Sequence, residues 1–359
     1  MTPAAGKKVH SFFELYDHFL KDSRSGRRLQ PNGKKVSAGT LDNYCYTKKL
    51  LQKFCAEKLF ELRIRSISRL TQREIKVEKN YWAKFYKKFT DYLYTDCGHF
   101  DNYVGATVKN IRTFFGYLNK NLLLQTGDFY KQFYVRKEDV PIVTLLPEEL
   151  NYLIYDKAFE ESLRPQLKRV KDMFVFGCTV ALRFSDLVML KRSNIRINGS
   201  NWYICVRSKK TATDTKICLP GYAVAILQKY EKQKGGYLLP RYNKVNLNLY
   251  VKELAERAGF THDIRKTRTR WGIQKELENK KGMGKQGHRF CDLVTTHTMR
   301  RTAITTMLSL GMPEHAVRKI SGHSPMSKEF YRYVALAQSY QDKETVEMFA
   351  RLKDRVLTA

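Results

Sequence analysis

Four side chains near the C-terminal end of this 359-residue chain stand in an order that suits chemistry better than packing. His297-Thr298-Met299-Arg300-Arg301-Thr302 is followed by Ser321-Gly322-His323 and then by Phe330-Tyr331-Arg332-Tyr333. An imidazole, a guanidinium, a second imidazole and a phenol match what a phosphodiester needs if it is to be broken and remade without a metal ion. Such a reaction must neutralise a pentacoordinate phosphorane, present a nucleophile in line and protonate the leaving oxygen. A guanidinium donates two parallel hydrogen bonds to non-bridging oxygens and keeps its charge. A phenol gives a phosphotyrosine ester that retains the energy of the broken bond for religation. A lysine beside the phosphate can supply the proton. No carboxylate cluster of the Mg²⁺-binding kind is visible in the sequence, in keeping with a scheme that uses no metal or other cofactor.

Charge points the same way. Sixty-six Lys and Arg against 35 Asp and Glu leave a net +31, and a protein so charged gathers polyanions, nucleic acid first among them. The basic residues are interleaved with 22 Tyr and 20 Phe, which places them on folded elements rather than on a solvated tail. The seven cysteines form no CxxC pair and read as buried thiols of a reducing compartment. The first ten residues lack the apolar core of a signal peptide, and no apolar run reaches membrane-spanning length. The expected location is the cytoplasm, with the nucleoid, and no membrane partner.

The elements that must position these groups divide near residue 140. Residues 1–140 read as a small helical bundle: a helix over 11–20, a polar loop over 22–39, a helix over 41–59 capped by Thr40, another over 81–94, and a fourth carrying Val108, Ile111, Phe115, Leu118 and Leu122. Lys48, Lys49, Lys53, Lys84, Lys109 and Arg112 lie on the polar faces. A solvated helix face is the ordinary explanation of such charges, but few acids balance them in the sequence, which favours contact with DNA phosphates. Residues 141–359 read as mainly α with a small β-sheet: helices over 147–156, 167–181 and 185–190, then strands 202–206 and 216–219 joined as a hairpin through Lys209-Lys210-Thr211-Ala212-Thr213-Asp214, then helices to the end. The basic, Gly-containing segment from His262 to Arg289 has no legible pattern.

With these pieces in order, the chain resembles the tyrosine recombinase, or phage integrase, family. Thr179-Val180-Ala181-Leu182-Arg183-Phe184-Ser185-Asp186 is similar to the family's first arginine box, Lys210 before Thr211 to its hairpin lysine, His297 to Arg300 to its H-x-x-R box, and Gly322-His323 to its third. The wording of the boxes looks most like integrases of conjugative and mobilizable transposons. The family usually has Thr-Gly where Val180-Ala181 stands. The resemblance implies an N-terminal core-binding (SAM-like) bundle and a C-terminal α/β catalytic domain. It also implies that Arg183 and Arg300 clamp the phosphate, with Asp186 supporting them. His297 and His323 donate to the phosphate or handle the nucleophile's proton, and Lys210, with Lys209 as runner-up, protonates the 5′ oxygen. Tyr333, with Tyr331 as competitor, attacks.

By the same resemblance the substrate is double-stranded DNA, four protomers act on paired sites through a Holliday junction, accessory DNA-bending proteins can assist, and the outcome is integration and excision of a mobile element. Alternatives are an Xer-like resolvase or invertase, a type IB topoisomerase, and a DNA-binding regulator that keeps the fold without the chemistry.

Overall fold

The computed structural model describes residues 9–356 apart from 69, 210–212, 233 and 279–286. Two compact units are present: Met1–Val140 with Thr267–Leu277, and Pro141–Lys266 with Glu278–Ala359.

The first unit holds helices α1 (Phe12–Ser25), α2 (Ala38–Lys58), α3 (Gln72–Thr95) and α4 (Asp101–Lys120), with a short antiparallel pair β1 (Val9–Ser11) and β2 (Arg63–Arg65). Hydroxyl caps set the starts of α1, α2 and α3. Ser37, not Thr40, caps α2, its oxygen accepting the amide of Thr40, so the helix begins earlier than the sequence pattern suggests. A capping box of Thr71 and Glu74 likewise starts α3 well before Tyr81. The core is aromatic, with Phe12, Tyr16, Phe19, Trp82, Phe85, Phe89, Phe114 and Phe115 fully buried. The Trp82 indole N–H donates to buried Glu78, whose other oxygen pairs with Arg63 at 2.8 Å, so this buried carboxylate is satisfied.

The second unit opens with α5 (Pro147–Tyr155), α6 (Lys157–Ser162), α7 (Pro165–Val180) and α8 (Phe184–Leu187). A three-stranded antiparallel sheet follows, β3 (Ile195–Asn198), β4 (Asn201–Arg207) and β5 (Asp214–Cys218), in that spatial order. The sequence pattern reveals β4 and β5 but not β3, whose four residues are largely exposed and alternate too briefly to register. Ile204 pairs with both Ile195 and Ile217, and this isoleucine contact anchors the sheet to the core. Next come α9 (Gly221–Lys229), α10 (Lys244–Arg257), and short strands β6 (Asp263–Ile264), β7 (Thr267–Arg270), β8 (Ile273–Glu276) and β9 (His288–Arg289). Helices α11 (Phe290–Leu293), α12 (Thr296–Ser309), α13 (Glu314–Ser321) and α14 (Lys328–Val356) complete the chain.

Helix α7 is the axis of this unit, burying Leu167, Val170, Met173, Phe174, Val175 and Phe176. Against it lies α12. The close approach requires Gly177: a Cβ there would stand 2.4 Å from Met299 Sδ.

The segment from Thr267 to Leu277 departs from a simple division at residue 140. The expectation that 141–359 forms one domain is corrected here, because the β7–β8 hairpin belongs to the first unit. The cause is a set of buried acceptors. Asp101, 3% exposed, takes the amides of Trp271 and Gly272 at 3.0 and 2.9 Å, and Glu138 takes Arg268 at 2.7 Å. Trp271 holds a left-handed φ of 60°, unusual for an indole, and its ring stacks on Tyr94 at 4.3 Å. Asp101→Ala would leave these amides and the Tyr94 hydroxyl unsatisfied, at a cost of about 3 kcal/mol. Urea unfolding followed by tryptophan fluorescence should show the loss in the first unit's transition; a change below about 0.5 kcal/mol would show that the hairpin is held by other contacts.

Candidate active site

The site grows out of the C-terminal end of α7. After Val180 the chain turns through Ala181 in the left-handed region (φ 53°), which redirects it so that Arg183 sits at the start of α8 and its carbonyl accepts the amides of Asp186 and Leu187. Glycine would be the ordinary residue at such a helix end. The left-handed turn costs an alanine roughly 1–2 kcal/mol. Its fully buried methyl returns about 0.8 kcal/mol, and the stiffer unfolded chain another 0.4–1 kcal/mol relative to glycine. The two sides nearly cancel, so the turn survives the departure from the usual Thr-Gly.

Arg300, 4% exposed, reaches from α12 to that turn. Its Nη1 donates to the Ala181 carbonyl at 2.8 Å and its Nη2 to the Ser321 carbonyl at 2.6 Å, joining the ends of α7 and α13. Gly322, with φ 64°, ends α13 and delivers His323. The His323 ring lies 2.8 Å from the Ser321 hydroxyl through Nδ1 and 3.4 Å from Arg300 Nη2 through Nε2.

Arg183 and Asp186 meet through a residue the sequence did not single out. Arg183 Nη1 donates to Ser208 Oγ at 3.1 Å, and Ser208 donates to Asp186 Oδ2 at 3.1 Å. Asp186 Oδ1 accepts the Lys209 amide at 3.3 Å. Lys210 lies outside the described residues.

His297 sits in the first turn of α12, where the Thr295 hydroxyl accepts its amide and Asn248 accepts that of Thr296. Its ring is open to solvent, yet partial desolvation and the charges of Arg301, Arg300, Lys244 and Arg183 lower its pKa to about 4. Burial, then Arg300, Arg183 and Arg318, hold His323 down to about 3. Burial and the Arg183 charge bring Arg300 to about 10, with Tyr333 and Asp186 working the other way. Lys244 and Arg301 thus join the cluster although the sequence reading passed over them; Arg301 stands in the quoted box, whereas only tertiary folding brings in Lys244.

Tyr333 is 3% exposed and packs among Ala181, Ala303, Val317 and Phe330, its ring centroid 5.9 Å from His323. Tyr331 is 55% exposed on the opposite side of α14, under the Arg318 guanidinium, as a separation of two residues on a helix requires. The structure therefore brings Arg183, Asp186, His297, Arg300, His323 and Tyr333 into one neighbourhood of the second unit and leaves Tyr331 out of it. Among the described residues no three of His, Cys, Asp and Glu converge as a metal would require.

On the first unit Lys49, Lys84 and Lys109 are exposed and Arg112 is half-buried. Lys48 and Lys53 are not free of acids as the sequence suggested: Asp17 reaches Lys48 at 2.6 Å from α1, and Glu57 lies 3.6 Å from Lys53 one helical turn on. Exposed pairs of this kind are weak and exchange readily for a phosphate.

The sequence profile of the Phage integrase family matches residues 145–339, more than half of the chain. The chain belongs to the phage integrase family. It is accordingly a tyrosine-type site-specific recombinase, an enzyme that breaks and rejoins DNA. Tyrosine recombinase XerA of Thermococcus onnurineus (strain NA1) is 24% identical over 248 residues, covering 67% of this chain and 80% of that protein. In fold the recombinase is similar to a lambda integrase dimer bound to a COC' core site (TM-score 0.58, 14% identity, 91% of this chain and 78% of that one). It is also similar to the Tn1549 transposon integrase in complex with transposon right end DNA (TM-score 0.56, 13% identity, 95% and 100%). No helix among the described residues is long and apolar enough to cross a membrane.

The histidine shifts carry a pH consequence. The unfolded chain, with ordinary imidazoles near 6.5, binds protons that the folded recombinase refuses, so stability falls as pH drops from about 6.5 towards 4. In ¹⁵N-histidine-labelled protein without DNA, His323 should remain neutral at pH 5, and His323→Gln should flatten the acid side of the stability curve. An imidazolium signal titrating near 6.5 would contradict the assigned environment.

Proposed function

We propose that this recombinase integrates and excises a mobile DNA element through a 3′-phosphotyrosyl intermediate formed on Tyr333. The observation that carries the chemistry is the cluster of Arg183, Arg300, His297 and His323 beside Tyr333, with Asp186 an acid that acts on Arg300. Arg183 and Arg300 clamp the non-bridging oxygens as charge builds on the phosphorane. Tyr333 attacks phosphorus, the bond to the 5′ oxygen breaks, and Lys210, or Lys209 in its stead, gives that oxygen a proton. His297 and His323 are held neutral in the DNA-free enzyme, and the negative charge of a bound phosphate raises their affinity for a proton, so that they donate to the phosphate or handle the phenolic proton as the bond forms. Religation runs the same path backwards, and no nucleotide or metal is consumed. Asp186 supports Arg183 through Ser208.

What supports a mobile-element role is the wording of the boxes Arg183-Phe184-Ser185-Asp186 and His297 to Thr302; the likeness to the Tn1549 integrase concerns the fold alone. The relative named XerA favours a second reading, resolution or inversion of DNA at paired sites. Solved relatives include a lambda integrase tetramer bound to a Holliday junction, and we extend that assembly to four protomers of this chain on two duplex sites, with DNA-bending proteins assisting. Lys49, Lys84, Lys109 and Arg112 would contact phosphates directly, and Lys48 and Lys53 after release from Asp17 and Glu57. The protein would act in the cytoplasm, on the nucleoid.

Tyr333→Phe should abolish the covalent adduct on a nicked suicide substrate while leaving DNA binding intact, and Tyr331→Phe should retain it. Adduct from the first variant and none from the second would transfer the role to Tyr331. With the native enzyme, strand exchange between an element end and a target duplex supports integration, whereas exchange confined to two identical sites supports the second reading.

A further inference from the structure

We propose that Ser208 is a positioning residue for the phosphate clamp: its hydroxyl links Arg183 to Asp186, the carboxylate that also receives the Lys209 amide. The inference rests on the roles of Arg183 and the hairpin lysine given above.

Ser208, 6% exposed, directly follows strand β4. A serine hydroxyl has one proton to give and lone pairs to receive. Here both capacities are committed: the oxygen accepts Arg183 Nη1 at 3.1 Å and the proton goes to Asp186 Oδ2 at 3.1 Å. The backbone on either side is fixed as well. The Ser208 amide donates to the Thr213 carbonyl at 2.9 Å, and the next amide, that of Lys209, donates to Asp186 Oδ1.

Asp186 thus holds the hydroxyl that receives the arginine with one oxygen and the Lys209 amide with the other. Asp186 is itself 5% exposed, and the hydroxyl and amide donors satisfy a carboxylate that burial would otherwise penalise. Arg183 is half-exposed, and its Nη1 is the group so far seen held in place. A longer or apolar residue at 208 would break the chain of donors at its centre. Alanine at 208 would leave Arg183 Nη1 and Asp186 Oδ2 without their shared partner, letting the guanidinium swing while the backbone bonds of residues 208 and 209 persist. Displacements of about 1 Å in such groups cost on the order of 100-fold in rate.

The test is single-turnover cleavage at saturating DNA, comparing Ser208→Ala in the native background with Ser208→Ala in an Arg183→Ala background. Each is run on an ordinary phosphodiester and on DNA with a bridging 5′-phosphorothiolate, whose thiolate leaves without a proton. Melting temperature and DNA affinity are followed in parallel. In the native background on ordinary DNA, Ser208→Ala should slow cleavage about 100-fold with little change in affinity. In the Arg183→Ala background on phosphorothiolate DNA, the guanidinium that Ser208 positions is gone and the leaving group needs no proton, so the same change should cost less than about threefold. A cost below about threefold in the native background overturns the proposal. So does a cost above about threefold in the doubly insensitive case, because a general structural role would persist there. If Arg183→Ala alone cleaves ordinary DNA within about tenfold of the native enzyme, the clamp reading itself fails, and that result is seen independently of Ser208.

Discussion

A guanidinium with a full positive charge lies almost wholly inside the second unit, and two backbone carbonyls rather than a carboxylate receive it. Arg300 donates to Ala181 and Ser321, and burial together with the Arg183 charge brings its pKa to about 10. Carbonyl dipoles meet only part of the cost of desolvating such a charge. The deficit is widened by Arg183, Arg301 and Lys244, whose fields push His297 down. Two histidines that might have added charge stay neutral instead. The site is therefore short of negative charge in a way that a phosphodiester would correct, and more so once the phosphorane develops.

Keeping that charge in place constrains much of the surrounding chain. Helix α12 must approach α7 closely enough for Arg300 to reach the Ala181 carbonyl, and Gly177 permits it by presenting no Cβ to Met299. The turn at Ala181 must stay left-handed, and α13 must end at Ser321 so that its last carbonyl and His323 point inward. Thr302, fully buried two residues beyond Arg300, accepts the Leu145 amide and ties the entry of the unit to the same helix. Tyr333 then packs over the Ala181 turn and beside His323, so the nucleophile and the clamp share one core.

The order of Arg183, His297, Arg300, His323 and Tyr333 was legible in the sequence because those residues fall in short boxes whose types have few other uses. Helices with caps or regular apolar stripes were legible for the same reason. The positions of Ser208 and Lys244 were not, since a serine before two lysines and a lysine at a helix start carry no mark of what they will face. Strand β3 was too short and too polar to show a period. The β7–β8 hairpin escaped notice because its fold is dictated by Asp101 and Glu138, acceptors more than 120 residues away in sequence. The pairing of Lys48 with Asp17 was hidden similarly, as their separation of 31 residues places them on different helices.

Charge matching between the arginines and the scissile phosphate is what the chemistry of this site depends on. The most direct measurement compares the native enzyme with Arg183→Ala on an ordinary phosphodiester and on a methylphosphonate, in which a methyl group replaces one non-bridging oxygen and removes its charge. Arg183 serves better than Arg300 here because it is half-exposed and its removal opens no core. On ordinary DNA the variant should be slower by on the order of 10³-fold, the usual worth of such an arginine. On the methylphosphonate that gap should shrink by about tenfold or more, because there is less charge left to neutralise. An equal gap on both substrates would contradict the account.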